Sequence, residues 1–291
     1  GGYVAAIRAA QLGRQVTLVE REELGGTCLN RGCIPTKALY KNAEVLDEFS
    51  HAEVFGIRFD GAPRLDLQTV RDRAQKVVKT LTGGVGQLLK GNGVEVIRGE
   101  AQFLDSRTVQ VNGEQYTAKH ILIATGSKPA RLPIEGIDSP GVMDSTAALR
   151  LEDVPDHLLI IGGGVIGIEM AGIYQAFGAQ VTVVEFMPTI LPMIDGEVAK
   201  LFARGFAKRG IRILTSARVV KIAQAGEGLA VSVEQNGGTE TISCNKVLSC
   251  AGRVANVDGL ALDKAGVVLE RPGIKVDENY QTNVKGIYAI G

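Results

Sequence analysis

The chain has 291 residues, of which 45% are hydrophobic and 37 are glycine, a size that supports two domains with cores of their own. Lysine plus arginine equals aspartate plus glutamate, 32 against 32, so net charge gives no case for nucleic acid or an anionic membrane. No apolar run approaches the roughly 20 residues a membrane helix needs, and any targeting peptide would precede Gly1. The first stretch, Gly2 to Glu20, opens on a glycine. It continues as a helix whose small residues, Ala5, Ala6, Ala9 and Ala10, permit close packing on a sheet. Gly13 ends the helix, and Val16 to Val19 is a short strand finishing on Glu20.

Next comes GGTCLNRGCIPTK, Gly25 to Lys37, with Cys28 and Cys33 either side of a turn. In a regular helix this offset separates Cα atoms by roughly 8 to 9 Å, too far for a disulfide, so the backbone must deviate between the cysteines, and Gly32 permits it. Pro35 suits the first turn of a helix, and Leu39, Ala43, Leu46 and Phe49 form one apolar stripe up to Phe49. Cys33 therefore sits at a helix N-terminus, where the dipole and unpaired N–H groups favour a thiolate. That reads as a redox-active pair. A structural staple across so short a loop removes little chain entropy, and the other cysteines, Cys244 and Cys250, lie in apolar strand-like runs typical of core thiols, which leaves a zinc site without ligands.

Further along, His51 to Arg64 reads as loop, and Leu67 to Lys90 carries helical periodicity broken near Gly83 and Gly84. Strands are expected at Val94 to Arg98, Thr108 to Val111 and His120 to Ala124, the last running into Thr125 and Gly126. Pro129 to Pro155 is a connector with one short helix near Ser145 to Leu149. Leu158 to Ile161 is a buried-strand run leading into GGGVIG, where Gly162, Gly164 and Gly167 fill the positions of the dinucleotide fingerprint. Gly162 makes the tight turn, Gly164 lets pyrophosphate approach, and Gly167 brings helix onto strand. Gly167, Gly178 and Glu185 repeat the punctuation of Gly2, Gly13 and Glu20, so the chain holds two copies of one unit. An acidic group at that point accepts hydrogen bonds from ribose hydroxyls, and Phe186 and Met187 offer no arginine for a 2′-phosphate, so the expectation is NAD rather than NADP. Glu197 to Lys208 reads as an amphipathic helix ending at Gly210, and Ile211 to Leu214 as a strand. Arg218 to Ile222, Leu229 to Glu234, Thr239 to Ser243 and Lys246 to Cys250 alternate like a meander with Gly237-Gly238 as a turn. Tyr280, Thr282 and a strand from Ile287 to Ile290 lead to Gly291. Two dinucleotide sites flanking a poised dithiol imply a flavin between them, because a dithiol gives up electrons through sulfur and nicotinamide accepts hydride.

Together GGTCLNRGCIPTK, the Ala124-Thr125-Gly126 turn, GGGVIGIE and the closing GIYAIG resemble the pyridine-nucleotide flavoprotein disulfide reductases across essentially the whole chain. The resemblance implies an α/β fold of two Rossmann-like dinucleotide-binding domains, for FAD and NAD, with inserted antiparallel meanders. The FAD domain is expected at residues 1–146 and the NAD domain at 147–268, with 269–291 returning to the FAD domain. It implies Cys28 as the thiol that exchanges with substrate, Cys33 as the thiol that meets the flavin, Lys37 near flavin N5 and Glu169 as its partner. An unpaired carboxylate in the apolar start of that helix would be costly, which favours the pairing on its own. Cofactor contacts are expected from Gly2, Glu20, Gly26, Thr27, Lys37, Ala124, Thr125, Gly126, Gly162, Gly164, Val165, Ile166, Gly167, Glu185, Gly252 and Arg253. Alanine at Ala255 replaces the family's usual proline, which loosens that turn.

Val165, where the glutathione-reducing branch carries tyrosine, resembles the dihydrolipoyl branch, with mercuric reductases as the nearest rival. That branch implies oxidation of protein-bound dihydrolipoamide with reduction of NAD⁺, lipoyl domains of 2-oxoacid dehydrogenase or glycine cleavage complexes as partners, a homodimer, and a cytoplasmic or mitochondrial-matrix location. Against the family pattern the chain lacks the strand and two glycines before Gly2, and at its other end the flavin-ribitol aspartate and the interface domain with its histidine-glutamate base. None of His51, His120 or His157 matches that base, and each is expected at a surface or in a loop. As it stands the chain also admits a different reading, an inactive flavin- or nucleotide-binding module.

Overall fold

A computed structural model describes every residue except 59 and 62. The loop expected over His51 to Arg64 contains a 3-10 turn, Ala52–Phe55, and its positions 59 and 62 lie outside the described residues. The chain divides into two compact units: Gly1–Cys33 with Val77–Lys128 and Arg253–Gly291, and Ile34–Lys76 with Pro129–Gly252.

The second unit is built on a five-stranded parallel sheet ordered Arg212–Leu214, Gln180–Val184, His157–Ile161, Lys246–Ser249, Val142–Asp144. Its central strands are apolar without alternation because both faces are covered. Leu158, Ile160, Val181, Val183 and Leu248 face the helix Val165–Ala176 through Ile168, Met170, Ala171 and Tyr174. Leu159, Ile161, Val184 and Val247 face the other way, onto Val219, Val231 and Ile242. Those last residues belong to an antiparallel sheet of three strands, Ala217–Ala225, Gly228–Gln235 and Gly238–Cys244. Asn236 and Gly237, at φ 51° and 79°, make the tight turn between the second and third.

The meander expected to have four strands therefore has three. Lys246–Ser249 leaves it and pairs in parallel with His157–Ile161 and Val142–Asp144. The reason is burial, since Val247 and Leu248 are both fully covered and an interior parallel strand shows no alternation. The strand Val142–Asp144, inside the expected connector, is too short to show a period, whereas the short helix expected near Ser145 to Leu149 is present as Ser145–Ala148. Leu39, Val70 and Ala74 also join this core, so the helix Cys33–Ser50 packs through Ala38, Leu39 and Ala43. Phe49, expected on the same buried stripe, is 46% exposed.

In the first unit the parallel pairs Thr17–Glu20 with Glu95–Arg98 and Ile121–Ile123 with Ile287–Ala289 stand with an antiparallel sheet, Ala101–Phe103, Thr108–Val111 and Glu114–Thr117. Helix Gly2–Gln11 contributes Ala6 to a cluster with Val85, Leu89 and Val94. The helix Leu67–Gly91 runs unbroken through Gly83 and Gly84, contrary to the expected break. Each glycine costs about 1 kcal/mol in a helix interior, and burial of Val85 and Leu89 beyond them outweighs that.

Candidate functional site

The thiol-bearing turn lies in the first unit. Gly25 and Gly26, at φ 108° and 73°, turn the chain into a six-residue helix, Gly26–Arg31, which carries Thr27 and Cys28. Helical geometry stops at Gly32, where a Cβ would come 3.0 Å from the Thr27 carbonyl oxygen and 3.2 Å from the Cys28 Cα. A side chain at this position would crowd the backbone of Thr27 and Cys28, and glycine avoids that where the chain folds back. A new helix of 18 residues starts at Cys33. Both cysteines are exposed, and Cys33 occupies the first turn of its helix. Cys244 and Cys250 differ, since burial pushes their thiols up to about 11 and about 12 and makes them poor nucleophiles.

One turn after Cys33, on the same side of its helix, Lys37 Nζ meets Glu169 Oε1 at 2.5 Å. Glu169 comes from the helix Val165–Ala176, and both partners belong to the second unit. The pair was inferred for Lys37 and Glu169 from sequence, although they stand 132 residues apart.

The fingerprint glycines carry three separate constraints. Gly162 has φ 106°, and a Cβ there would lie 3.0 Å from the Cys250 carbonyl carbon. A Cβ on Gly167 would come 2.0 Å from the Gly162 carbonyl oxygen. Gly164 has nothing within 4 Å of its missing Cβ. It is the N-cap of Val165–Ala176, with no side chain capping the helix amides. Those amides, beside the exposed Val165 and half-buried Ile166, form a cradle fitting a pyrophosphate, so the residues fit a dinucleotide.

Glu185 follows the strand Gln180–Val184 and is 8% exposed. Its Oε2 accepts from the Gly163 N–H at 2.5 Å and its Oε1 from the Met187 N–H at 2.7 Å. These bonds fix the carboxylate beside the glycine turn, where it can receive ribose hydroxyls.

The first copy of the repeat has parallel features. Helix Gly2–Gln11 also lacks a side-chain cap, and a Cβ on Gly2 would come 3.1 Å from the Ala124 Cβ. Glu20 ends its strand and accepts from the Glu22 N–H at 2.9 Å. Near the Ala124-Thr125-Gly126 turn, the Asn256 N–H donates to the Gly126 carbonyl at 2.9 Å and Asn256 Nδ2 to that of Thr125 at 3.4 Å. Arg253 donates through Nε to Ser127 Oγ at 2.8 Å and through Nη2 to the Ser127 carbonyl at 2.6 Å. Gly252, in the second unit, accepts from the Ala130 N–H at 3.1 Å.

His157 departs from the surface or loop position expected of it. It opens a central strand, and its ring meets the Ser243 carbonyl at 2.8 Å and Thr182 Oγ1 at 2.9 Å. Among the described residues no group of three or more His, Cys, Asp or Glu could hold a metal ion, and no helix is long and apolar enough to cross a membrane. What sequence reading missed is Asn30, whose side chain donates into the turn before Cys28. A polar residue inside a short helix is the signal that could have found it.

The family described as pyridine nucleotide-disulphide oxidoreductase matches residues 1–291. A dihydrolipoyl dehydrogenase of Thermus scotoductus is 46% identical over 296 residues, covering 100% of this chain and 63% of that protein. One of Geobacillus stearothermophilus is 44% identical with the same coverage. Among solved structures, the Cu(II) complex of the HOCl-induced flavoprotein disulfide reductase RclA from Escherichia coli is similar with a TM-score of 0.86 and 30% identity, covering 100% of this chain and 63% of that one. The chain thus spans about 63% of the length of these relatives.

Proposed function

The chain belongs to the pyridine nucleotide-disulphide oxidoreductases, and from that premise we propose that it oxidises protein-bound dihydrolipoamide through a Cys28–Cys33 couple and passes the electrons to NAD⁺. Membership implies FAD and NAD as cofactors. The observation that carries the reading is the thiol turn, two exposed cysteines separated by a glycine that lets the chain fold back on Cys28, with the second at a helix start. Relatives named dihydrolipoyl dehydrogenase at 46% and 44% identity support the substrate class.

In this reading residues 1–146 and 269–291 bind FAD and residues 147–268 bind NAD. A dihydrolipoyl thiolate attacks Cys28 of the oxidised Cys28–Cys33 pair, and the bond between the two cysteines breaks with Cys33 leaving as thiolate. The second substrate thiol then displaces Cys28 from the mixed disulfide, so that the S–S bond leaves with the product as lipoamide. Cys28 and Cys33 are then both reduced. FAD supplies the two-electron relay between dithiol and nicotinamide. Cys33 donates as thiolate, Lys37 held by Glu169 supplies a fixed cation, the amides after Gly164 bind pyrophosphate, and Glu185 holds the ribose of NAD and repels a 2′-phosphate. Lipoyl domains of 2-oxoacid dehydrogenase or glycine cleavage complexes would deliver the substrate to a cytoplasmic homodimer.

The test is NADH production from dihydrolipoamide and NAD⁺ by the full-length protein, beside its NADPH-linked reduction of mercuric ion and glutathione disulfide. Strong NADH production, lost in Cys33→Ser, is expected. Activity only with mercuric ion or glutathione disulfide would move the chain to a sister branch, and NADH production retained in Cys33→Ser would remove the thiol couple from the mechanism.

A further inference from the structure

The helix that carries Cys28 is too short to stand by itself. Six residues, Gly26–Arg31, lie well below the length at which a helix is stable in water. No residue of that helix is fully buried, and its one apolar contact with a core is Leu29, packed partly buried against the cluster of Ala6, Val85, Leu89 and Val94. The other tie to the turn before it is the side chain of Asn30, a residue of the helix itself. Its Nδ2 donates to the Leu24 carbonyl at 2.9 Å and the Gly26 carbonyl at 3.0 Å, with the Glu23 carbonyl at 3.5 Å. The reverse orientation of the amide would set Oδ1 against carbonyl oxygens, so only the amino end fits. A further tie, Arg31 to Glu22, is an exposed ion pair and contributes little.

We infer that Asn30 is a positioning residue for the thiol couple, holding the Gly25-Gly26 turn and the Cys28 helix in the arrangement that brings Cys28 to Cys33. The inference rests on the reading of Cys28 and Cys33 as a redox couple. Its physical content is effective concentration. In oxidation by a small disulfide, one S–S bond forms between Cys28 and Cys33 as that of the reagent breaks, and two electrons and two protons pass to the reagent. Ring closure depends on how far Cys28 is already held toward Cys33. Without the Asn30 amide the short helix frays and closure becomes less favourable, so the couple becomes easier to reduce.

The experiment equilibrates the full-length protein with oxidised and reduced dithiothreitol, alkylates, and counts closed Cys28–Cys33 pairs by mass spectrometry, in wild type, Asn30→Ala and Asn30→Asp. Both variants lose the donor, and aspartate keeps the shape. The expected result is an equilibrium constant for closure about tenfold lower in both, about 30 mV for a two-electron couple, with NADH-driven reduction of ferricyanide, which bypasses the thiols, unchanged within about twofold. Closure as favourable in both variants as in wild type would overturn the inference while leaving the couple intact. Thiol closure and ferricyanide reduction falling together with the melting temperature would also overturn it, as a merely structural role. If wild type forms no Cys28–Cys33 bond under any dithiothreitol ratio, the reading of the couple itself fails.

Discussion

Glu185, proposed above to hold the ribose of NAD, also supports the fold. Gly163 is buried and its N–H has the Glu185 carboxylate as acceptor, so removing that carboxylate leaves an unpaired buried donor. Such a loss costs about 1–3 kcal/mol. Glu185→Ala should lower the urea midpoint accordingly and also weaken NAD⁺ binding by on the order of tenfold or more, since the ribose loses charge-assisted hydrogen bonds. Titration calorimetry with NAD⁺ and NADP⁺ checks both the loss and the expected narrowing of the preference between them. Unchanged NAD⁺ affinity would show that the carboxylate serves only its two amides. Tyr174 offers a simpler case in the same unit. Its hydroxyl donates to the Ala148 carbonyl at 2.8 Å and burial pushes its pKa up, so Tyr174→Phe should cost about 1 kcal/mol of stability and leave nucleotide binding alone.

At the scale of elements, the strand-turn-helix that starts at His157 would, on the proposed function, separate packing from nucleotide binding within six residues of loop and helix. Gly167→Ala would drive a Cβ to 2.0 Å from the Gly162 carbonyl oxygen, forcing helix from strand, and should destabilise by about 1–3 kcal/mol or more. Gly164→Ala meets nothing within 4 Å and has φ −73°, so it should fold normally yet fill the space a pyrophosphate needs. Thermal melts and NAD⁺ titration of the two variants should therefore give opposite signatures, and loss of stability in Gly164→Ala would refute the division of roles. This element was legible in the sequence because glycine spacing, a buried-strand run and a terminal glutamate all point one way. The pairing of Lys37 with Glu169 was legible only through the family resemblance and the cost of an unpaired carboxylate. Short strands were not. Val142–Asp144 and Lys246–Ser249 owe their pairing to neighbours distant in the chain, and no period of three or four residues can announce that. The unbroken helix through Gly83 and Gly84 escaped for a related reason, as propensity gave way to burial at Val85 and Leu89.

For the whole molecule, the titrating groups set two different pH windows for stability. Exposed carboxylates such as Asp66, lowered chiefly by the Thr69 hydroxyl, and Glu240, lowered chiefly by its hydrogen bond with Arg212, bind protons less readily when folded. Their contribution is present above the unfolded value near 4 and is lost as pH falls through the folded one. His157 behaves otherwise. Burial lowers its pKa, against the raising effect of the Ser243 carbonyl and with a smaller lowering from Arg212. The unfolded chain thus takes up this proton first, at about pH 6.5. The stability gained by holding the ring neutral is complete above that pH and declines as pH drops from about 6.5 toward the folded value. Urea midpoints at pH 7.5, 6.5 and 5.5 should therefore fall in wild type well before the carboxylates begin to protonate. His157→Gln, which cannot titrate, should start from a lower midpoint, because the hydrogen bonds to Ser243 and Thr182 are weakened, and should vary less over the same interval. Parallel decline in both proteins would mean that His157 does not govern this window. A flatter profile in the variant would tie the pH response of unfolding to one ring at the start of the central strand, where its neutral form bridges the parallel sheet and the antiparallel one.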